Sequence, residues 1–235
     1  MVDRLLANHQ FKSPLIAGAM KAVDRKNYVP SGWSAYDDSP QRIGFNATIS
    51  APHMHAKACE NLLDHLLIAD RVHGAVLDVG SGSGYLTAVL HKIAPNATIV
   101  GIDHLQGLAD LARTNLDKDG VKHGPSEKVE IVCGDGRAGW AAKAPYQAIH
   151  VGAAAPTMPA ALVEQLAAPG RMFIPIGVED QGECQSSARS LRSAKCEVDK
   201  DGDGNVTQKK LYNVMGKQWD GQSQHDLHAH NSPGR

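Results

Sequence analysis

At 235 residues with a 42% hydrophobic fraction, the chain is long enough for one α/β domain with a substantial core and an appendage. A formal net charge of −1 excludes a global electrostatic pull toward nucleic acid or acidic membranes, so neither is expected as a partner. The start, Met1-Val2-Asp3-Arg4-Leu5-Leu6, has no sustained apolar run, so no signal peptide or anchor is expected, and the separated Cys59, Cys133, Cys184 and Cys196 read as reduced thiols of a cytosolic protein.

Residues 1–30 read as helical, with Ser13-Pro14 as a cap followed by proline at the first helical position. A loop rich in Pro, Gly, Ser and aromatics is expected from Val29 to Ser50. Pro52 opens a second helix to about Ile68, with Leu62, Leu63, Leu66 and Leu67 on its apolar side. Apolar strands then alternate with helices. The strands are Ala75–Val79, Thr98–Asp103, Val129–Cys133, Ala148–Val151 and Arg171–Ile176; the helices run over about Tyr85–Ile93, Leu105–Leu116 and Pro159–Leu166. This alternation predicts an α/β fold, a mostly parallel sheet with helices on both faces and an N-terminal helical extension. After Gly177 the pattern fades. Residues 178–195 are polar and patternless, a hairpin is expected between Lys195–Val198 and Val206–Val214, and the composition of residues 216–235 suggests disorder.

Asp78-Val79-Gly80-Ser81-Gly82-Ser83-Gly84 joins a strand to a helix. Glycines allow positive φ and let a ligand approach the main chain, while the helix start offers unpaired N–H groups. The spacing is GxGxG rather than the GxGxxG of dinucleotide folds, and Asp78 precedes it. That favours S-adenosyl-L-methionine, with its carboxylate and ammonium, over a nicotinamide cofactor. Asp103 ends the second strand about twenty residues on, where a carboxylate can accept ribose hydroxyls; its alternative is a strand-end turn residue. Asp135, in Gly134-Asp135-Gly136-Arg137, could accept the adenine amino group or simply make a turn.

The segment Asp38-Ser39-Pro40-Gln41-Arg42-Ile43-Gly44-Phe45-Asn46-Ala47-Thr48-Ile49-Ser50-Ala51-Pro52-His53-Met54-His55 resembles the substrate-loop signature of protein-L-isoaspartate O-methyltransferases. The glycine loop, Gly101-Ile102-Asp103-His104, Gly134-Asp135-Gly136-Arg137 and Ile149-His150-Val151-Gly152-Ala153-Ala154-Ala155-Pro156 follow in the same family-like order. The resemblance implies a Rossmann-like S-adenosylmethionine-dependent methyltransferase fold. It divides the chain into a helical and substrate-loop region (1–70), a methyltransferase core (71–177) and an atypical C-terminal region (178–235). It implies Ser50 as the active-site serine beside the substrate carboxylate, with Ala47, Thr48, Ile49 and His55 lining the cofactor and substrate pocket. Gly80 and Ser83 would lie against the cofactor, Asp103 and His104 at its ribose, Asp135 and Gly136 at its adenine, and Gln218 could add a contact.

The activity so implied is methyl transfer from S-adenosyl-L-methionine to the free carboxylate of L-isoaspartyl and D-aspartyl residues in damaged proteins and peptides, with S-adenosyl-L-homocysteine as product. A cytosolic monomer is expected. Capping does not account for Ser50, because Pro52 at the first helical position makes Ala51 the cap. No metal is expected: His53 and His55 point to different helix sides, and Asp199–Val206, although like the start of an EF-hand loop, is followed by Lys210 where a bidentate glutamate belongs. The alternative is a binding protein with weak or lost catalysis. It rests on the C-terminus, where Tyr212-Asn213-Val214-Met215 runs into Gly216-Lys217-Gln218-Trp219 without the family's Val-Pro-Leu-type strand.

Overall fold

The computed structural model describes residues 1–30, 34–177 and 191–216. Helices α1 (Val2–Ala7) and α2 (Pro14–Ala22) open the chain, followed by a 3-10 turn at Arg25–Tyr28. Pro14 stands at the start of α2 behind Ser13, and the helix buries Ile16, Ala17, Ala19 and Met20.

Inside the stretch expected to be loop, β1 (Gln41–Gly44) and β2 (Ala47–Ile49) pair antiparallel, with Arg42 opposite Thr48. Each strand is too short to show an alternating pattern, and the turn residues Phe45 and Asn46 are not glycine. Both nonetheless take left-handed backbone angles, φ 49° and 54°. Asparagine tolerates that region and phenylalanine does not favour it. The Phe45 ring packs over Gly107, so closely that a Cβ there would have to push the ring aside. Helix α3 (Pro52–Val72) begins at Pro52 with Ala51 as its N-cap. It runs a turn past Ile68 because Ala69 is buried, although Asp70 and Arg71 disguise the apolar face.

The main sheet contains β3 (Ala75–Val79), β4 (Thr98–Asp103), β5 (Val129–Cys133), β6 (Tyr146–Val151), β7 (Leu166–Gly177), β8 (Leu191–Lys200) and β9 (Val206–Gly216). Its order is β5-β4-β3-β6-β7-β8-β9. The first five strands are parallel, and β8 and β9 return as an antiparallel hairpin. Helices α4 (Tyr85–Ile93), α5 (Gln106–Lys118) and α6 (Ala160–Gln165) connect them.

Because side chains alternate along a strand, Val76, Ile99, Ile131, Ala148 and Phe173 face one layer with α1 to α5. Leu77, Val100, Val132, Ile149 and Met172 face the other, where Leu162 of α6 and Trp140 pack. Helices cover both faces as expected, but unequally.

The expectation that residues 178–195 carry no strand is corrected for 191–195, which lie in β8 and pair with β7 from Ser193 opposite Gly177 onward. Ala194, Cys196 and Val198 are buried on one side, but Ser193 and Lys195, which alternate with them, are buried too. Two buried polar residues erased the period-two signal. The C-terminal Gln218 lies outside the described residues.

Candidate active site

β3 and β6 are neighbours although the chain visits β4 and β5 between them. Their carboxyl ends therefore lead into connections running opposite ways, which is where open parallel sheets leave a crevice. Gly80, Gly82 and Gly84 all have left-handed φ, 78°, 54° and 86°, so side chains at these alternate positions would strain the loop. The Gly80 and Ser81 amides donate to the Ile102 carbonyl at 2.8 and 3.1 Å, and Gly84 is the N-cap of α4.

Two buried carboxylates brace this loop. Asp103 accepts from the Gly82 amide at 3.0 Å and the Leu105 amide at 3.3 Å, with the exposed His104 ring beside it. Asp78 accepts from the Thr87 hydroxyl at 2.7 Å and lies 2.8 Å from His150 Nδ1. The Ser81 and Ser83 hydroxyls are buried without hydrogen-bond partners among the described residues. Buried polar groups are seldom left so, and two in one loop mark a place built to receive something.

The opposite wall comes from the β1–β2 hairpin. Strand β2 leads into Ser50 just before α3, and a cleft runs from Thr48, Ile49, Ser50 and His55 to Asp78, the glycine loop, His150 and Gly152. The wall is held from behind by Arg25, which is 1% exposed. Its guanidinium donates to the carbonyls of Ala35 at 2.9 Å and Ser50 at 2.8 Å, and Nη1 lies 3.4 Å from His55 Nδ1. It also sits over the Tyr85 ring, 5.1 Å from the centroid. Burial, reinforced by the Arg25 charge, holds the His55 imidazole well below its ordinary basicity, so His55 is neutral near pH 7.

Of the residues expected at the site, Thr48, Ile49, Ser50, His55, Asp78, Gly80 and Ser83 line the cleft together. Ala47 opens β2 beside them. Asp103 adjoins the glycine loop through the Gly82 amide, with His104 beside it, but neither is among the residues that line this cleft. Asp135 is half exposed, caps the 3-10 turn at Gly136–Ala138, and is bound by Arg137 through Nε and Nη2 at 2.9 and 2.7 Å; Gly136 is buried beside it. Arg25 and His150 were not assigned from the sequence. Nothing marks Arg25 in Asp24-Arg25-Lys26-Asn27, whereas His150 could have been noticed as a lone polar residue in an apolar strand.

A zwitterionic amino-acid group matches this chemistry, with hydroxyl and helix-start donors for a carboxylate and Asp78 for an ammonium. A glycine-looped crevice at the switch point of a mostly parallel sheet, with acids ending β3 and β4, defines a Rossmann-like methyltransferase. The comparisons with known proteins agree. The sequence profile of the Protein-L-isoaspartate(D-aspartate) O-methyltransferase (PCMT) family matches residues 1–215, and the chain belongs to that family. A Caenorhabditis elegans protein-L-isoaspartate O-methyltransferase is 48% identical over 177 residues, covering 75% of this chain and 76% of the relative. The Triticum aestivum enzyme of the same name is 46% identical over 186 residues, covering 77% and 78%. A Plasmodium falciparum PCMT solved with S-adenosyl-L-homocysteine superposes with a TM-score of 0.77 at 26% identity, over 92% of this chain and 95% of that one.

Proposed function

We propose that the protein is a repair methyltransferase that esterifies the free carboxylate of L-isoaspartyl and D-aspartyl residues in damaged proteins and peptides. Family membership supports the reaction class. The observation that carries the site is the cleft that joins Thr48, Ile49 and Ser50 to Asp78 and the Gly80–Ser83 loop.

S-adenosyl-L-methionine supplies an electrophilic sulfonium methyl. Asp78 would meet its ammonium, the Ser81 and Ser83 hydroxyls its carboxylate, and Asp103, with lone pairs to spare, its ribose. The substrate carboxylate, the α-carboxylate of an isoaspartyl residue (pKa about 3.5) or the side-chain carboxylate of a D-aspartyl residue (about 3.9), is ionised at neutral pH and needs no general base. The residues around the cleft therefore bind and orient rather than move protons. Ser50 donates a hydrogen bond to the carboxylate and holds it for in-line attack; such proximity can contribute about 7–11 kcal/mol. Arg25 fixes the Ser50 backbone, and neutral His55 closes the cleft beside it without adding charge.

A cytosolic monomer belongs to this reading. Among the described residues no helix is long and apolar enough to cross a membrane. The test is methylation by labelled S-adenosyl-L-methionine of an isoaspartyl peptide against its aspartyl twin. Labelling of the isoaspartyl peptide alone is expected, and equal labelling of both would overturn the assignment.

A further inference from the structure

His150 takes no part in the reaction scheme above, yet it is among the most constrained side chains of the cleft. It interrupts the apolar end of β6, is 6% exposed, and lies nearly parallel to the Phe173 ring with centroids 6.4 Å apart. Its Nδ1 is 2.8 Å from Asp78 Oδ1, while Thr87 holds Oδ2 at 2.7 Å. Burial lowers the basicity of His150 and the Asp78 carboxylate works against that loss. A neutral imidazole facing a carboxylate carries its proton on Nδ1 and donates it.

Asp78 is 1% exposed and lines the cleft at the root of the glycine loop. A buried carboxylate with one donor could turn about its terminal torsion, which is broad and roughly two-fold. With a donor on each oxygen its plane is fixed, and the lone pairs left over are presented to one ligand geometry. The two donors come from different elements, Thr87 from α4 and His150 from β6, so the clamp also ties the loop across the switch point.

We propose that His150 is a positioning residue for cofactor binding: through Nδ1–H it completes, with Thr87, a clamp that orients the Asp78 carboxylate toward the cofactor ammonium. The inference rests on the methyltransferase reading given above. It assigns no proton transfer to His150, and it predicts that the ring's Nδ1, not its Nε2, matters.

Asparagine and glutamine separate the two nitrogens, because the asparagine amide falls near histidine Nδ1 and the glutamine amide near Nε2. The full chain and its His150→Asn, His150→Gln and Asp78→Asn variants are titrated calorimetrically with S-adenosyl-L-homocysteine, with melting temperatures alongside. Methyl transfer to an isoaspartyl peptide gives kcat and KM for the cofactor. Glutamine is expected to weaken binding about tenfold and raise KM in step, and asparagine to stay within about threefold of the wild type. In the Asp78→Asn background the two His150 replacements should no longer differ, since the partner carboxylate is gone. If wild type binds and both replacements bind equally, or binding is unchanged while only melting temperature falls, His150 is a packing residue and the inference fails. A wild-type chain that does not bind S-adenosyl-L-homocysteine overturns the methyltransferase reading as well, so the two failures are told apart.

Discussion

The guanidinium of Arg25 donates to the main-chain carbonyl of Ser50 at 2.8 Å, joining the N-terminal helical layer to the wall of the cleft. The same head group reaches Ala35, His55 and Tyr85. Burial lowers its pKa only to about 10, so it remains charged at neutral pH. The backbone at Ser50 is thus set by a buried cation from elsewhere in the chain together with the short hairpin that leads into it.

Replacing Arg25 should damage both stability and turnover. Arg25→Ala strands the buried Ala35 carbonyl and the part-buried Ser50 carbonyl and should cost about 2–4 kcal/mol in a urea denaturation experiment. Arg25→Lys keeps the charge but lacks the fork that spans Ala35 and Ser50 together. Its turnover should fall about tenfold while S-adenosyl-L-homocysteine affinity stays within about twofold. Full activity in the lysine variant would show that the guanidinium geometry is irrelevant to Ser50.

Ser50 and Asp103 should fail differently. Ser50→Ala removes the proposed donor to substrate, so calorimetric cofactor affinity should hold and turnover should drop. Asp103→Ala frees the Gly82 and Leu105 amides that it now accepts from, besides any ribose contact. Cofactor binding should weaken by about 1.5–3 kcal/mol, with a loss of thermal stability. Loss of cofactor binding in a folded Ser50→Ala variant would reverse the division of roles.

Lys195 is a buried cation with little support. Its ammonium finds the Val151 carbonyl at 3.4 Å and the Phe173 ring at 4.7 Å from the centroid, and no carboxylate among the described residues. Burial pushes its pKa down to about 7. The unfolded chain, with a lysine pKa near about 10.4, binds more protons between those two values. Stability should therefore rise with pH from about 7 to about 10, and the penalty is fully present below about 7. Its size is on the order of 3–5 kcal/mol. Lys195→Met should raise the melting temperature at pH 7 and flatten the dependence above it. A variant no more stable than the wild type at pH 7 would mean that the ammonium is better solvated than its burial indicates.

The Asp199–Lys210 loop should not bind calcium tightly. Asp199 is held by Arg171 Nε and Nη2 at 2.6 and 2.9 Å, and Asp201 accepts from the Asp203 and Asn205 amides within its own turn. Both carboxylates that would open a calcium loop are already engaged. Calorimetric titration in chelator-treated buffer should show no stoichiometric micromolar site; one that Asp199→Ala abolishes would contradict this.

Much of the fold was legible because β3 to β7 are apolar strands, all but β5 and β6 separated by an α-helix, and because alternate glycines announce a loop. The β1–β2 hairpin was not, since three- and four-residue strands carry almost no period and a Phe-Asn turn gives no warning. β8 was obscured by Ser193 and Lys195, buried where an alternating strand should be apolar. At the site, Ser50, His55 and the glycine loop were found through motif order, but Arg25 acts through carbonyls 10 and 25 residues away in the chain. Local sequence holds no trace of such a tie. The orientation of Asp135 toward Arg137 likewise depends on a side-chain pairing that the Asp-Gly-Arg run leaves open.

The left-handed Phe45-Asn46 turn bears on how the protein can be improved. A phenylalanine in that conformation costs on the order of 1–3 kcal/mol, and Asn-Gly at the same two positions would meet the turn's demand without strain. Selection for thermal robustness alone would favour that exchange. It would also remove the ring that rests on Gly107 and let the hairpin, with Thr48 and Ser50 behind it, lose its register on α5. Hardiness and catalytic competence therefore pull in opposite directions at this turn, and a hardier descendant with a glycine there would be expected to be the slower enzyme.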